Sequence, residues 1–145
     1  MIKKIAFGFA LTVLGCASAL AQMTPVGLWR NIDDATGQAK AEIRIKADAK
    51  GVVSGVIEKA LVESKEVNCT QCTDDRKDKP KLGMEIIRGA TKTAGKDVWE
   101  GGTILDPENG KAYTLRMTPI DGGKKLEIRG SILFFGRTQT WIRVQ

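Results

Sequence analysis

Ala41-Glu42-Ile43-Arg44-Ile45-Lys46-Ala47 decides the fold. Charged and aliphatic side chains alternate residue by residue, so Ile43 and Ile45 share one face and Glu42, Arg44 and Lys46 the other. Successive side chains of an extended strand point to opposite sides, and a sheet with one dry face writes this pattern into its sequence. The same period recurs. Tyr113, Leu115 and Met117 alternate with Thr114, Arg116 and Thr118, and Leu126 and Ile128 alternate with Lys125, Glu127 and Arg129. Helical periodicity is nearly absent beyond the N-terminal segment.

Turn chemistry joins these stretches. Asn109-Gly110 separates Thr103-Ile104-Leu105 from the Tyr113 strand, and both residues tolerate the positive φ of a tight hairpin. Gly122-Gly123 does the same before the Leu126 strand, and Ala49-Lys50-Gly51 before the apolar stretch 52–62. Further strands near Trp29, 84–90, 98–105 and 138–144 bring the total to about eight, with the short links of up-and-down barrels. The sequence therefore predicts an all-β fold, a small antiparallel up-and-down barrel of about eight strands in meander order. Two stretches depart from it. Residues 65–82 are polar, hold two cysteines and Pro80, and read as a long loop with at most one helical turn. Ile132-Leu133-Phe134-Phe135 cannot alternate, which predicts a plug, a bend or a lip at one barrel end.

Residues 1–21 read as a signal peptide. Lys3 and Lys4 precede the apolar run 5–14, and Ala19-Leu20-Ala21 supplies a small-x-small cleavage site. The run is shorter than the about 20 residues that a spanning helix requires. Cleavage after Ala21 leaves residues 22–145 as one β-barrel domain. An alternative treats Val13-Leu14-Gly15-Cys16 as an imperfect lipobox, making the product a lipoprotein anchored at Cys16. Removing 21 of 145 residues leaves 124, and losing two of 23 basic residues against 17 acidic ones leaves a net charge of +4. The basic residues are interleaved with acids, which argues against the continuous basic stripe of a nucleic-acid binder.

The chain has no histidine, which excludes Ser-His-Asp and Cys-His nucleophile arrangements. Two mature cysteines fall short of a closed zinc site, and no phosphate-binding glycine loop follows a strand. Neither a metal nor a cofactor is expected. Cys69-Thr70-Gln71-Cys72 reads as a disulfide in an oxidising compartment. Closing so short a loop contributes about 2 kcal/mol, enough to pin the loop rather than hold the domain. A thiol–disulfide oxidoreductase would need a thiolate-stabilising site, and Asp74 and Asp75 disfavour one. Glu100 with Asp106 or Glu108 is the remaining acid–base option, although Asp106 is better placed to cap its own turn.

Gly27-Leu28-Trp29 opens the first strand, and Gly136-Arg137-Thr138-Gln139-Thr140-Trp141-Ile142-Arg143 nearly closes the chain. The first and last strands of a meander barrel are neighbours, so an arginine of the last strand can stack on the Trp29 indole. Trp29, Arg137, Trp141 and Arg143 are the candidates for this barrel-end clasp, with either arginine meeting Trp29. Arg137, Gln139, Trp141 and Arg143 share one strand face. If it points inward, the barrel floor is polar and aromatic.

Glycine-x-tryptophan on the first strand with a late arginine resembles the lipocalin and calycin pattern. The whole stretch from about Pro25 to Val144 resembles the exported bacterial family known as domain of unknown function 2147. The matching pieces are Gly27-Leu28-Trp29, Cys69-Thr70-Gln71-Cys72 with Lys79-Pro80, residues 101–107 with 109–113, Arg129-Gly130, and residues 136–141. The resemblance implies a calycin-like barrel and export, and brings no catalytic residues. The expected function is a periplasmic module binding a small apolar ligand, admitted opposite the clasp and touching Tyr113, Leu115 and Met117. The alternatives are a filled barrel presenting the Cys69–Cys72 loop or the Phe134-Phe135 lip to an envelope protein, and an enzyme using the cysteines or carboxylates.

Overall fold

The computed structural model describes residues 22–145; the leader assigned to 1–21, Cys16 included, lies outside the described residues. Eight strands follow one another: β1 (Gly27–Ile32), β2 (Ala39–Ala47), β3 (Val53–Ala60), β4 (Glu85–Lys92), β5 (Trp99–Asp106), β6 (Lys111–Ile120), β7 (Lys125–Ile132) and β8 (Phe135–Arg143). Each pairs antiparallel with its sequence neighbour, and β8 returns to β1 to close the barrel. Closure removes the exposed sheet edges that an open meander would leave.

Alternation sets which side chains face in. Ile43 and Ile45 on β2, Leu115 and Met117 on β6, and Leu126 and Ile128 on β7 are all buried. Each fully buried aliphatic side chain contributes about 1.5–3 kcal/mol. Arg44 points out and forms a two-pronged ion pair with Glu58 of β3 at 2.8 and 3.0 Å. The inward face of β8 carries Trp141, which is 1% exposed, so the polar and aromatic face of that strand is the inner one.

The turns behave as their residues dictate. Asp48 accepts from the backbone N–H groups of Lys50 and Val52 at 2.8 and 2.9 Å, shaping the β2–β3 turn. Asp106 accepts from the N–H of Glu108 at 2.9 Å in the β5–β6 turn. Gly110, at φ +73°, has a second duty there: a Cβ would overlap the Gln71 carbonyl of the long β3–β4 loop.

That loop is built rather than slack. It holds an isolated bridge between Asn68 and Pro80 and contains no helix. Cys69 and Cys72 are disulfide-bonded, with Cα atoms 5.4 Å apart, and both sulfur-bearing residues are buried. Arg76, 6% exposed, grips the Asp74 carboxylate at 2.6 Å and donates to the Glu85 carbonyl at 2.9 Å, tying the loop to β4.

The residues 132–135 turn out to be regular. Ile132 pairs with Phe135 across a two-residue turn, so β7 and β8 continue in register to the tip. The expected irregularity is absent because the hairpin projects past the barrel rim, where strand faces no longer separate core from solvent. The result is a lip.

The β1–β8 seam has the fewest paired positions, two against three for β3–β4. β1 and β8 pair at Trp29–Arg143 and Arg30–Ile142 only, whereas β7 and β8 pair along eight positions from Lys125–Ile142 to Ile132–Phe135.

Candidate functional site

The two barrel ends differ. At the end bearing Gln22 and Gln145, Trp29, Trp141, Ile45, Val53, Ile87 and Met117 pack the interior solid, each at most 1% exposed. At the other end the side chains no longer meet across the axis, and two adjoining cavities open. One, about 240 Å³, is lined by Trp141, Ile128, Ile104, Leu105, Asn31, Tyr113, Gln139 and Arg137, among others. The other, about 670 Å³, lies between the barrel wall and the β3–β4 loop. Its walls are mainly apolar: Ala41, Ile43, Ile57, Ala60, Leu61, Val62, Val67 and Leu82. Asn31, Lys40, Ile86 and Pro107 line both, so the two are lobes of one hollow mouth.

Three cations at this mouth each hold a carboxylate partner. Lys40 pairs with Asp33 at 2.7 Å and Lys81 with Glu108 at 2.9 Å, and Arg137 pairs with Asp34. The hydrogen bond from Lys40, helped by Thr36, holds the Asp33 carboxyl far below the usual carboxylate range. The Arg137 guanidinium lowers Asp34 in the same sense. Lys81 is 9% exposed, and its ammonium also reaches the Ser64 hydroxyl at 3.3 Å. On the floor, the Trp141 indole N–H donates to the Gln139 side-chain carbonyl at 3.2 Å.

The structure separates the sequence-predicted residues into three places. Tyr113 lines the smaller lobe, its hydroxyl held by the Asn109 amide at 3.1 Å. Leu115 and Met117 share its inward face but lie deeper, 1% and 0% exposed, and line neither lobe. They follow Tyr113 down the strand into the solid half.

The second place is the clasp, and Arg143 is the arginine that meets Trp29. Its guanidinium carbon sits 4.1 Å from the indole centroid. Its nitrogens donate to the carbonyls of Gly123 and Thr24 at 2.6 Å, Val26 at 2.9 Å and Gln22 at 3.2 Å. Burial pushes the Arg143 pKa down. The Trp29 indole N–H donates to the Pro25 carbonyl at 2.7 Å. Gly27, at φ +145°, lies so close that a Cβ would come within 2.5 Å of the Arg143 guanidinium and the Gln145 carbonyl. Arg137 takes no part in the clasp. Six residues of strand carry it about 20 Å toward the other end, where it joins the mouth. Trp141 lies between them as the cavity floor.

The third place is the disulfide, outside the barrel wall, with the Cys69 sulfur 3.4 Å from the Pro107 carbonyl oxygen. It braces the loop that roofs the larger lobe. The carboxylate option does not assemble. Glu100 bonds the Thr93 hydroxyl at 2.9 Å near the solid end. Asp106 stands at the opposite end of the same strand. Sequence reasoning missed Asn31, Lys40, Ile86 and Lys81. Asp33 and Lys40 bracket the β1–β2 link, whose Asp33-Asp34-Ala35-Thr36-Gly37 was the available signal; Lys81 arrives through a loop path that no local pattern encodes.

Comparisons with known proteins agree with this architecture. The family model described as "Uncharacterized protein conserved in bacteria (DUF2147)" matches residues 27–143. No curated protein matches the chain. Among solved structures, protein HP1028 from Helicobacter pylori, which belongs to the lipocalin family, superimposes with a TM-score of 0.69 at 17% identity. The alignment covers 83% of this chain and 82% of that one. At that identity the likeness speaks for the fold, which is lipocalin-like.

Proposed function

We propose that this chain, which belongs to the bacterial DUF2147 family, is an exported module that binds a small, largely apolar molecule in the open half of its barrel. The observation that carries this reading is the asymmetry of the interior: packed solid at the clasp end, hollow at the other, with a lobe of about 670 Å³ walled mainly by aliphatic side chains. An eight-stranded barrel is just wide enough to be filled or to hold one small ligand, and ligand sites commonly enclose about 300–1,000 Å³.

The polar ring refines the ligand class. Lys40, Arg137 and Lys81 already hold Asp33, Asp34 and Glu108, so an anionic head must break an existing pair to bind them. A neutral head with hydroxyl, amide or ester groups can instead use Asn31, Gln139 and Tyr113 without disturbing any charge. The tail then takes the apolar walls. Localisation in the periplasm, reached through cleavage after Ala21, is part of the proposal. The buried Cys69–Cys72 disulfide and the signal-like segment 1–21 support it.

Two measurements test the reading. Native mass spectrometry of protein purified from its own bacterium should show a retained small molecule released on unfolding. Ala41→Phe, which places a ring in the larger lobe, should abolish uptake of an environment-sensitive apolar dye while leaving the fold intact. Dye uptake equal to the parent's, or no uptake by the parent at all, would sink the proposal.

A further inference from the structure

The lip is the least economical part of the surface. Leu133, Phe134 and Phe135 are 89%, 100% and 81% exposed, and Ile132 is 39% exposed. Their burial contributes nothing to folding. Nor does turn propensity explain them: Leu133 adopts φ +52°, where a tight hairpin prefers glycine or asparagine and a bulky side chain is strained. Both burial and backbone therefore argue against these residues, and a use outside the fold is required.

We infer that the Ile132–Phe135 tip inserts into the interface of a lipid bilayer, setting the barrel mouth against the membrane. Shape favours lipid over protein. A stable protein contact buries about 800 Å² on each partner, and a single two-residue turn presents too little surface for one. A narrow apolar tip needs no complementary pocket in order to enter the headgroup–acyl boundary.

Local charge points the same way. Continuing the β6–β7 register beyond Thr114 and Ser131 sets Lys111 level with Phe134, and Arg129 lies two residues below Ser131 on the outer face. Neither has a carboxylate partner among the described residues. Apolar tip residues flanked by unpaired cations suit a surface carrying anionic lipid. Ile132 and Phe135 also have the inward parity of their strands, so the tip continues the rim of the cavity. No helix among the described residues is long and apolar enough to cross a membrane.

Sedimentation with vesicles of phosphatidylethanolamine and phosphatidylglycerol tests the inference. The parent should bind, and Leu133→Ser/Phe134→Ser/Phe135→Ser should lose at least about tenfold in partitioning. Lys111→Gln/Arg129→Gln should weaken binding to these vesicles and leave binding to pure phosphatidylcholine unchanged. The three tip side chains are exposed, so circular dichroism and the urea midpoint should not move. Should the triple variant misfold, Phe134→Trp with bromine-labelled lipid reads insertion directly through quenching, and absence of quenching overturns the inference. Equal binding by parent and triple variant overturns it too. So does a lipid-free dimer of the parent that the triple variant lacks, which would make a second copy the occupant. Because Ala41→Phe alters the cavity and not the tip, that variant should still bind vesicles, which separates this test from that of ligand uptake.

Discussion

Replacing Arg143 probes the clasp that shuts the solid end of the barrel. Its guanidinium lies 4.1 Å over the Trp29 ring and reaches five backbone carbonyls, two of them at 2.6 Å. A partly desolvated cation–indole contact contributes about 1–2 kcal/mol. Hydrogen bonds from a charged donor contribute about 1.5–3 kcal/mol each, but they share one side chain and do not add. The outer carbonyls also regain water once the side chain is gone. Arg143→Ala should therefore cost about 3–4 kcal/mol. At about 3–5 °C per kcal/mol for a domain of this size, that lowers the melting temperature by roughly 10–20 °C. Arg143→Lys keeps the charge and one or two of the carbonyls but loses the planar fork, so about half that loss is expected. Urea unfolding at pH 7, followed by tryptophan fluorescence and far-ultraviolet circular dichroism, measures both variants. An alanine variant within about 0.5 kcal/mol of the parent would refute the reasoning, as would lysine and alanine variants of equal stability.

Gly27→Ala should destabilise by about 2–4 kcal/mol, since its backbone is in the left-handed range and its Cβ would strike the Arg143 guanidinium; parental urea stability would contradict this. Cys69→Ala/Cys72→Ala should cost about 2–4 kcal/mol through loop entropy and lost packing, with the barrel's strand signal kept, and global unfolding by circular dichroism would show the bridge matters more than argued. Acid should weaken the loop anchor. Asp74 has its pKa lowered from 3.8 to about 2, chiefly by the hydrogen bond from Arg76. The unfolded carboxylate takes up a proton before the folded one, so this contribution is complete above about pH 4 and disappears as pH falls toward 2. The parent should lose stability across that window and Asp74→Asn should lose less; parallel profiles would exclude the pair.

Much of the fold was legible because strand parity is a local property. Ile43 and Ile45 declare a dry face from seven residues of sequence, and Asn109-Gly110 declares its turn from two. Parity says whether a side chain points in; it is silent on height along the barrel axis. Tyr113, Leu115 and Met117 therefore looked equivalent, yet Tyr113 touches the hollow and the other two support its floor. Ile86 and Ile87 are both buried although adjacent, because the β3–β4 pairing shifts register beside them. The larger lobe was hidden for a further reason. Half of its wall is the β3–β4 loop, whose path depends on the Asn68–Pro80 bridge, the disulfide and the Arg76 anchor acting together. Those contacts lie within residues 68–85 but follow no repeat, so they leave no periodic trace.

The short seam between β1 and β8 has a mechanical meaning. Below Arg30 the two strands are laced by backbone pairing, while higher up the tie across them is the Asp34–Arg137 ion pair between exposed side chains. Parting β7 from β8 means stripping a ladder of amide bonds, whereas here the wall is held by an attraction that water and salt already weaken. The cylinder is thus hinged like a split collar. Its hem is stitched at the tryptophan and its upper edge is held by one button.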